Sequence, residues 1–461
     1  MKALADPANS LARGLAAIRT RFQVPEGFPP AVLAAAEAAA ARAPTEHVDR
    51  TGRHFVTLDP AGASDLDQAF AIEQAGADML LHYAIADVAW FVEDGDAIDR
   101  EAWHRGTTLY LPDGKAGLYP RTLSEGAASL LPDGPRPAVI FTVRVAPDGA
   151  VHLDGAERAV IRSAAKLAYD SVRDADLPSG FAELTARLQQ AEGRRGAARV
   201  DPPEQEVAMR DDGSFELVFR PRLVSEERNA ALSLAANMAI AEVLRAHATG
   251  LFRVMAEPDD HAVARLRQTA AAFGLHWPAM APLAQFEARL DSRDPKQAAF
   301  MLAVRRAGQG ASYQPFQPGI VPWHAAVAAS YAHATAPLRR LADRYVIRAT
   351  LAVANGRPVP GVVTEAFDEL PAVMARADAI GGQIDRAVVD LAEAVMLQGR
   401  ESETFAAIVT DADDRGARIQ LRDLPIVTRV AMTGAAPGDA VTVRLTAADP
   451  DRQRVRFEPV T

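Results

Sequence analysis

Residues 55–70 read Phe-Val-Thr-Leu-Asp-Pro-Ala-Gly-Ala-Ser-Asp-Leu-Asp-Gln-Ala-Phe and carry three carboxylates, Asp59, Asp65 and Asp67, within one short stretch. Carboxylates that converge repel one another unless a cation lies between them. Oxygen ligands of this kind suit Mg²⁺, or Mn²⁺, held by one or two carboxylates together with waters and a phosphate. The spacing does not fit a calcium EF-hand, which needs Gly at the sixth and Glu at the twelfth loop position. A purely local reading stays open beside the metal one: Asp side chains in a polar turn bonding to their own backbone.

The flanking pattern shows what would position these groups. The apolar run Phe55–Leu58 predicts a buried strand that delivers Asp59 at its end, and Pro60, Gly62 and Ser64 mark an irregular turn. If residues 65–67 are extended, alternation puts Asp65 and Asp67 on one side and Leu66 on the other.

A second candidate segment is 331–345, Tyr-Ala-His-Ala-Thr-Ala-Pro-Leu-Arg-Arg-Leu-Ala-Asp-Arg-Tyr. Pro337 suits the first turn of a helix whose buried side is Leu338, Leu341 and Tyr345. That places Arg339 in the first turn, where its guanidinium and free backbone N–H groups would grip one phosphate. Arg340, Arg344 and Arg348 recur every fourth residue along one face. Either they meet phosphates or they pair with acidic residues, Asp343 being one candidate.

These two blocks resemble the signature of the RNase II (RNB) family of exoribonucleases. Asp59, Asp65 and Asp67 fall on the first three acidic positions of that signature, and Gln68 stands where a fourth Asp is usual. Residues 84–88 resemble the family's His-Ile-Ala-Asp-Val strand, with Ala84 for the His. Residues 105–112 and 118–124 resemble its Arg-Gly-Thr-Ser-x-Tyr-Leu-Pro and Leu-Pro-x-x-Leu-Ser stretches. Tyr331, His333, Thr335, Pro337, Arg339 and Arg340 match its Tyr-x-His-Phe-Thr-Ser-Pro-Ile-Arg-Arg-Tyr block, with Ala336 for Ser and Leu341 for Tyr. Asp385 is loosely similar to a later acidic position.

The resemblance implies a Mg²⁺-dependent 3′→5′ exoribonuclease (Mn²⁺ being an alternative metal) that releases nucleoside 5′-monophosphates from single-stranded RNA. Asp59, Asp65, Asp67 and Gln68 would hold metal, and Arg339 would contact the scissile phosphate. Tyr110, His333, Thr335 and Arg340 would bind RNA. Stacking of a base on Tyr110 accepts any sequence and is worth about 1–3 kcal/mol; a core tyrosine is the plain alternative. Two other functions remain in view. Gln68 and Ala336 motivate a catalytically weakened RNA-binding or regulatory relative, and the acidic cluster alone also allows a metal-dependent phosphodiesterase on DNA or small nucleotides.

The whole chain is consistent with such an enzyme. With 461 residues, 49% hydrophobic and 24% charged, it should hold two to four domains of ordinary globular composition. Cysteine is absent, which excludes thiolate chemistry and fits a reducing compartment. Residues 1–20 lack the apolar core of a signal peptide, and the apolar run 31–42 is too short to span a bilayer. A cytoplasmic, monomeric protein without membrane association is expected. The net charge of −10 argues mildly against a nucleic-acid partner, but a channel needs only local positive charge. Lys2, Lys115, Lys166 and Lys296 are the only lysines, so arginine carries nearly all of that charge.

The expected fold is α+β: an RNB-type mixed α/β catalytic domain at 49–400, an OB-fold barrel at 401–461 and a helical N-terminal region at 1–48. The N-terminal region reads as two helices, 8–21 and 29–42, either an accessory helix-turn-helix or a packing arm. Residues 82–92 predict a central strand in which Asp87 needs a salt-bridge partner. Residues 136–172 alternate as paired strands, and the Arg- and Gln-rich passage 180–200 reads as a solvated helical excursion. Glu226–His247 predicts an amphipathic helix buried through Leu232, Ala235, Ala239, Ile240 and Val243, with Asn237 as either a site residue or a satisfied core amide. The tail 403–461 has turn signals between short strands, as in a five-stranded OB barrel, and 411–416 reads as a hairpin turn.

Overall fold

The computed structural model describes residues 9–197, 204–209, 214–220, 222–291, 294–308, 310–413 and 415–460. Its centre is a six-stranded sheet ordered Val48–Asp49, Val151–Ala168, Phe55–Asp59, Gln68–Ala75, Asp78–Ala86 and Pro135–Val145. The long strand Val151–Ala168 pairs with Pro135–Val145 through its first part and with Phe55–Asp59 through its last part. The sheet therefore returns on itself, which removes most of its open edge. Val56, Leu58, Phe70, Tyr83 and Phe141 fill its interior. Thus the apolar run from Phe55 forms a buried strand, and Asp59 is its last residue.

The helix Val224–Ala246 packs on this sheet. Leu232, Ala235, Ala239 and Ile240 face inward, and the many alanines along this helix let backbones come close. Beside it lies the helix Leu341–Ala354, which is buried on most of its surface. A helix of 37 residues, Gly361–Leu397, then runs on to the C-terminal sheet, whose core Leu397 joins.

That sheet has five antiparallel strands ordered Val427–Val430, Gly416–Leu421, Thr404–Asp413, Ala440–Asp449 and Arg454–Pro459. Its two outer strands approach each other, so the sheet is nearly closed, as an OB-type barrel requires. The turn expected at 411–416 joins the first hairpin; Asp414 lies outside the described residues.

The N-terminal helices are Ser10–Arg21 and Pro30–Ala40. The first packs through Leu11, Leu15 and Ile18 in one apolar cluster with Val388, Leu391 and Val395 of the long helix. The reading of 180–200 as a solvated excursion needs correction. Helix Phe181–Arg195 buries Phe181, Leu184 and Leu188, and Phe181 stacks on Phe70 at 5.6 Å. Residues 198–200 of that passage lie outside the described ones. Helices Asp260–Ala272, Leu283–Glu287 and Pro295–Ala307, which the sequence reading passed over, share a separate core of Leu266, Phe273, Phe286 and Phe300.

Candidate active site

The two candidate segments meet. Asp67 is 6% exposed, and its Oδ1 accepts a hydrogen bond of 2.7 Å from the backbone N–H of Leu338, 271 positions along the chain. Arg339 Nε lies 3.6 Å from Asp67 Oδ2, and the Arg339 side chain is 46% exposed. One face of the guanidinium thus meets the carboxylate while the rest stays open. Burial pushes the Asp67 carboxyl up to about 8, against the pull of Arg339 and of the Leu338 N–H.

Asp59 arrives at the end of its strand, which two contacts secure. Tyr169 N–H donates to the Asp59 carbonyl at 3.1 Å, and Asn229 Nδ2 bridges the Leu58 carbonyl and the Tyr169 hydroxyl. Asp59 Oδ2 is buried and has no hydrogen-bond partner. Burial pushes this carboxyl up to about 6, with Arg339 pulling it down and Asp65 pushing it further up.

Residues 64–67 form no strand. Ser129 Oγ accepts the Leu66 N–H at 2.9 Å and donates to the Ser64 carbonyl at 2.7 Å, and Leu66 enters the core. Asp65 lies close enough to push the Asp59 carboxyl up, and its own oxygens are engaged by the hairpin that follows. Lys115 Nζ sits 2.8 Å from its Oδ1, and the Tyr110 hydroxyl donates to its Oδ2 at 3.2 Å. Among the described residues, no group of three or more His, Asp or Glu side chains is arranged as a metal cage. The donor set nevertheless fits a hard divalent cation: the oxygens are carboxylate, and one of them is buried with nothing to bond to.

Gln68 begins the next strand. Its Nε2 donates to the Thr335 carbonyl at 2.6 Å, and its oxygen accepts from the Tyr83 hydroxyl. Both ends of the amide are therefore used within the protein. Tyr110, 50% exposed, lies on the hairpin Leu109–Leu111 and Gly114–Ala116, with its ring half open to solvent beside Asp65. Burial, reinforced by Asp65, raises its hydroxyl well above the usual range, so it stays protonated.

The expected helix start at Pro337 needs correction. Residues 337–339 form a turn, Arg340 is extended, and the helix begins at Leu341. The cause is tertiary. The Arg339 carbonyl accepts from Thr107 Oγ1 at 2.8 Å and from Thr108 N–H at 3.0 Å. Gly106, at φ 70°, accepts the Leu341 N–H at 3.0 Å, and a Cβ there would lie 2.9 Å from that of Ala377. These contacts draw residues 339–341 across the start of the hairpin segment instead of into a helical turn.

The arginine stripe is mostly structural. Arg340 forks Asp343 at 3.0 and 2.8 Å, and Asp343 also accepts the Ala336 N–H at 2.8 Å. Arg344, 1% exposed, pairs with Asp99, and Arg348 pairs with Asp94 at 2.7 Å. His333 Nδ1 is 2.8 Å from the Tyr313 hydroxyl; burial and the nearby Arg340 and Arg253 keep its ring neutral. Thr335 is buried, and its Oγ1 is 3.2 Å from Asn237 Nδ2. Asn237 also accepts the Ala334 N–H at 2.9 Å, so this core amide clasps the whole segment. Asp87 lies just past its strand, bound to Arg158 at 3.0 Å and His47 at 3.1 Å. Asp385 is exposed on the long helix.

Sequence reasoning missed Lys115, Asn229 and Tyr169. Nothing local distinguishes them, although the scarcity of lysine could have drawn attention to Lys115.

The RNB domain matches residues 48–356, and the RNase II-type exonuclease C-terminal S1 domain matches residues 403–460. Ribonuclease R of Aquifex aeolicus is 27% identical over 95% of this chain and 69% of its own length. Exoribonuclease 2 of Cronobacter sakazakii is 29% identical, over 81% of this chain and 61% of its own length. Among solved structures, the apo form of Mycoplasma genitalium RNase R superposes with a TM-score of 0.86 at 19% identity, covering 100% of this chain and 79% of that one. Yeast Ssd1, described as a pseudonuclease, superposes with a TM-score of 0.64 at 16% identity, covering 93% and 56%. At these identities the structural likeness speaks for the fold alone.

Proposed function

The chain belongs to the RNB family, and from that premise we propose that it is a metal-dependent 3′→5′ exoribonuclease that shortens single-stranded RNA by one nucleoside 5′-monophosphate at a time. The observation that carries this reading is the meeting of Arg339 with Asp67 beside the unpartnered oxygen of Asp59. An open cation next to desolvated carboxylates suits a phosphodiester bound together with a metal ion.

Water adds to phosphorus, the 3′-oxygen of the penultimate nucleotide leaves with a proton, and the terminal nucleotide departs with its 5′-phosphate. Asp59, Asp67 and Asp65 would hold Mg²⁺, or Mn²⁺ in its place, which when bound supplies an acidified water and neutralises charge on the phosphate. Arg339 turns its open guanidinium edge to a non-bridging phosphate oxygen and carries part of the charge that grows there. Its backbone is fixed through Thr107 and Thr108, and Asp67 is fixed through Leu338, so the two groups keep their spacing as the chain advances. Tyr110 offers a half-exposed ring on which the terminal base stacks whatever its identity.

Residues 49–400 form the catalytic domain in this reading, 401–461 an RNA-binding barrel and 1–48 a packing arm. The protein acts as a cytoplasmic monomer. Among the described residues, no helix is long and apolar enough to cross a membrane.

One observation favours a second reading, a relative that binds RNA with weak or no chemistry: the Gln68 amide is spent on Tyr83 and Thr335. A metal-dependent phosphodiesterase indifferent to the sugar is the third. Chromatography of the products from a body-labelled RNA and a body-labelled DNA of the same sequence separates them. Nucleoside 5′-monophosphates support the proposal, binding without product supports the second reading, and equal attack on DNA supports the third.

A further inference from the structure

The hairpin that presents Tyr110 also presents Lys115, and the two are cross-strand partners. They divide one carboxylate between them: Lys115 Nζ is 2.8 Å from Asp65 Oδ1, and the Tyr110 hydroxyl is 3.2 Å from Asp65 Oδ2. Lys115 is also 3.1 Å from Glu125 Oε1, and Glu125 has a second cation of its own, Arg121, at 3.1 Å. The side chains of Lys115, Asp65 and Glu125 are 24%, 13% and 12% exposed, so the cluster is only partly screened by solvent. Within the site the three carboxylates face Arg339 and Lys115, with Lys166 acting on Asp59 and Arg340 on Asp67 as well, and Gln68 adds no charge.

We propose that Lys115 is a tethered counter-cation of the acidic cluster, which competes with the divalent ion for Asp65 and moves over to Glu125 when that ion binds. This inference rests on the metal-dependent reading above. Lys115 and a divalent ion cannot both hold Asp65 Oδ1 at contact distance without strong repulsion. Glu125, whose Oε1 already lies 3.1 Å from the ammonium, gives it a second acceptor without leaving the cluster. The consequence is a site whose metal affinity is set by a lysine outside the acidic motif. It would bind divalent ions more weakly than its carboxylates alone allow, and so load them mainly when an RNA phosphate adds negative charge.

The test is Mn²⁺ binding by the full chain without RNA, followed by the loss of the free-ion electron paramagnetic resonance signal. Lys115→Met should bind Mn²⁺ about three- to tenfold more tightly than wild type, the scale of a partly buried ion pair. Lys115→Arg, which keeps the charge, should stay near wild type, and thermal melts without metal should show both variants folded. Equal or weaker Mn²⁺ binding by the folded Lys115→Met protein overturns the proposal. If wild type binds no Mn²⁺ that Asp67→Asn removes, the metal-dependent reading falls and this inference falls with it.

Discussion

The guanidinium of Arg339 rests 3.6 Å from the carboxylate of Asp67, and the N–H of the preceding residue, Leu338, holds that same carboxylate at 2.7 Å. One acidic side chain therefore anchors the segment that brings the phosphate-facing cation. Position and charge are coupled at this contact, and several outcomes depend on it.

Asp67→Asn should reduce kcat at least about a hundredfold, since the charge is lost where transition-state stabilisation is needed. The amide oxygen can still accept the Leu338 N–H, so RNA affinity measured by fluorescence anisotropy should stay within a few-fold of wild type. Parallel loss of binding and of folded signal would point to misfolding.

Arg339→Ala should also slow turnover, by about 10²–10³, the scale for removing one fixed donor from a developing oxyanion. Single-turnover rates at saturating RNA isolate this effect from binding. The neighbouring Arg340→Ala acts differently: Asp343 loses its forked partner, and the thermal melting temperature should fall.

Asn237→Ala should cost about 1–3 kcal/mol of stability, because the buried Ala334 N–H loses its acceptor. Denaturant unfolding measures it. A variant as stable as wild type would mean that the clasp contributes little.

For pH, the sign follows from burial. The Asp67 carboxyl titrates at about 8 in the fold, above its value in the unfolded chain. It therefore contributes stability at low pH that is lost as pH rises from about 4 through about 8. Other groups titrate too, so the useful quantity is wild type minus Asp67→Asn. Without metal, wild type should lose about 3–4 kcal/mol relative to the variant between pH 5 and pH 8. Added Mg²⁺ should restore it.

RNA binding should weaken steeply with salt despite the net charge of −10, because a channel reads local charge. Tyr110→Ala should cost about 1–3 kcal/mol of RNA affinity through lost stacking.

Much of the scaffold could be read from the sequence because local pattern and tertiary role agree there. The run before Asp59 is a buried strand, the alanine-rich stretch around Asn237 is a helix over Val224–Ala246, and the tail is five short strands. Asp87, expected inside a strand that ends at Ala86 before the short helix Val88–Phe91, needed a partner and has Arg158 and His47. The features that escaped depend on contacts distant in sequence. Arg339 looked helical because Pro337 and the leucine spacing favour a helix start, but Thr107, Thr108 and Gly106 hold its turn open. Asp65 looked like a free ligand because Lys115, on a hairpin of ordinary sequence, gives no local sign that it reaches back to it. The helices between 260 and 307 bury their aromatics against one another, so they leave no mark on the pattern of the site.

The most direct measurement of the central claim is a gel time course on a 5′-labelled single-stranded RNA, run with Mg²⁺ and with EDTA, beside a DNA of the same sequence. Stepwise shortening of the RNA alone to a small limit product, only with metal, is the predicted result. An RNA that stays full length with Mg²⁺ while still shifting on a binding gel would contradict it, and would mean that the contact between Arg339 and Asp67 holds RNA without cutting it.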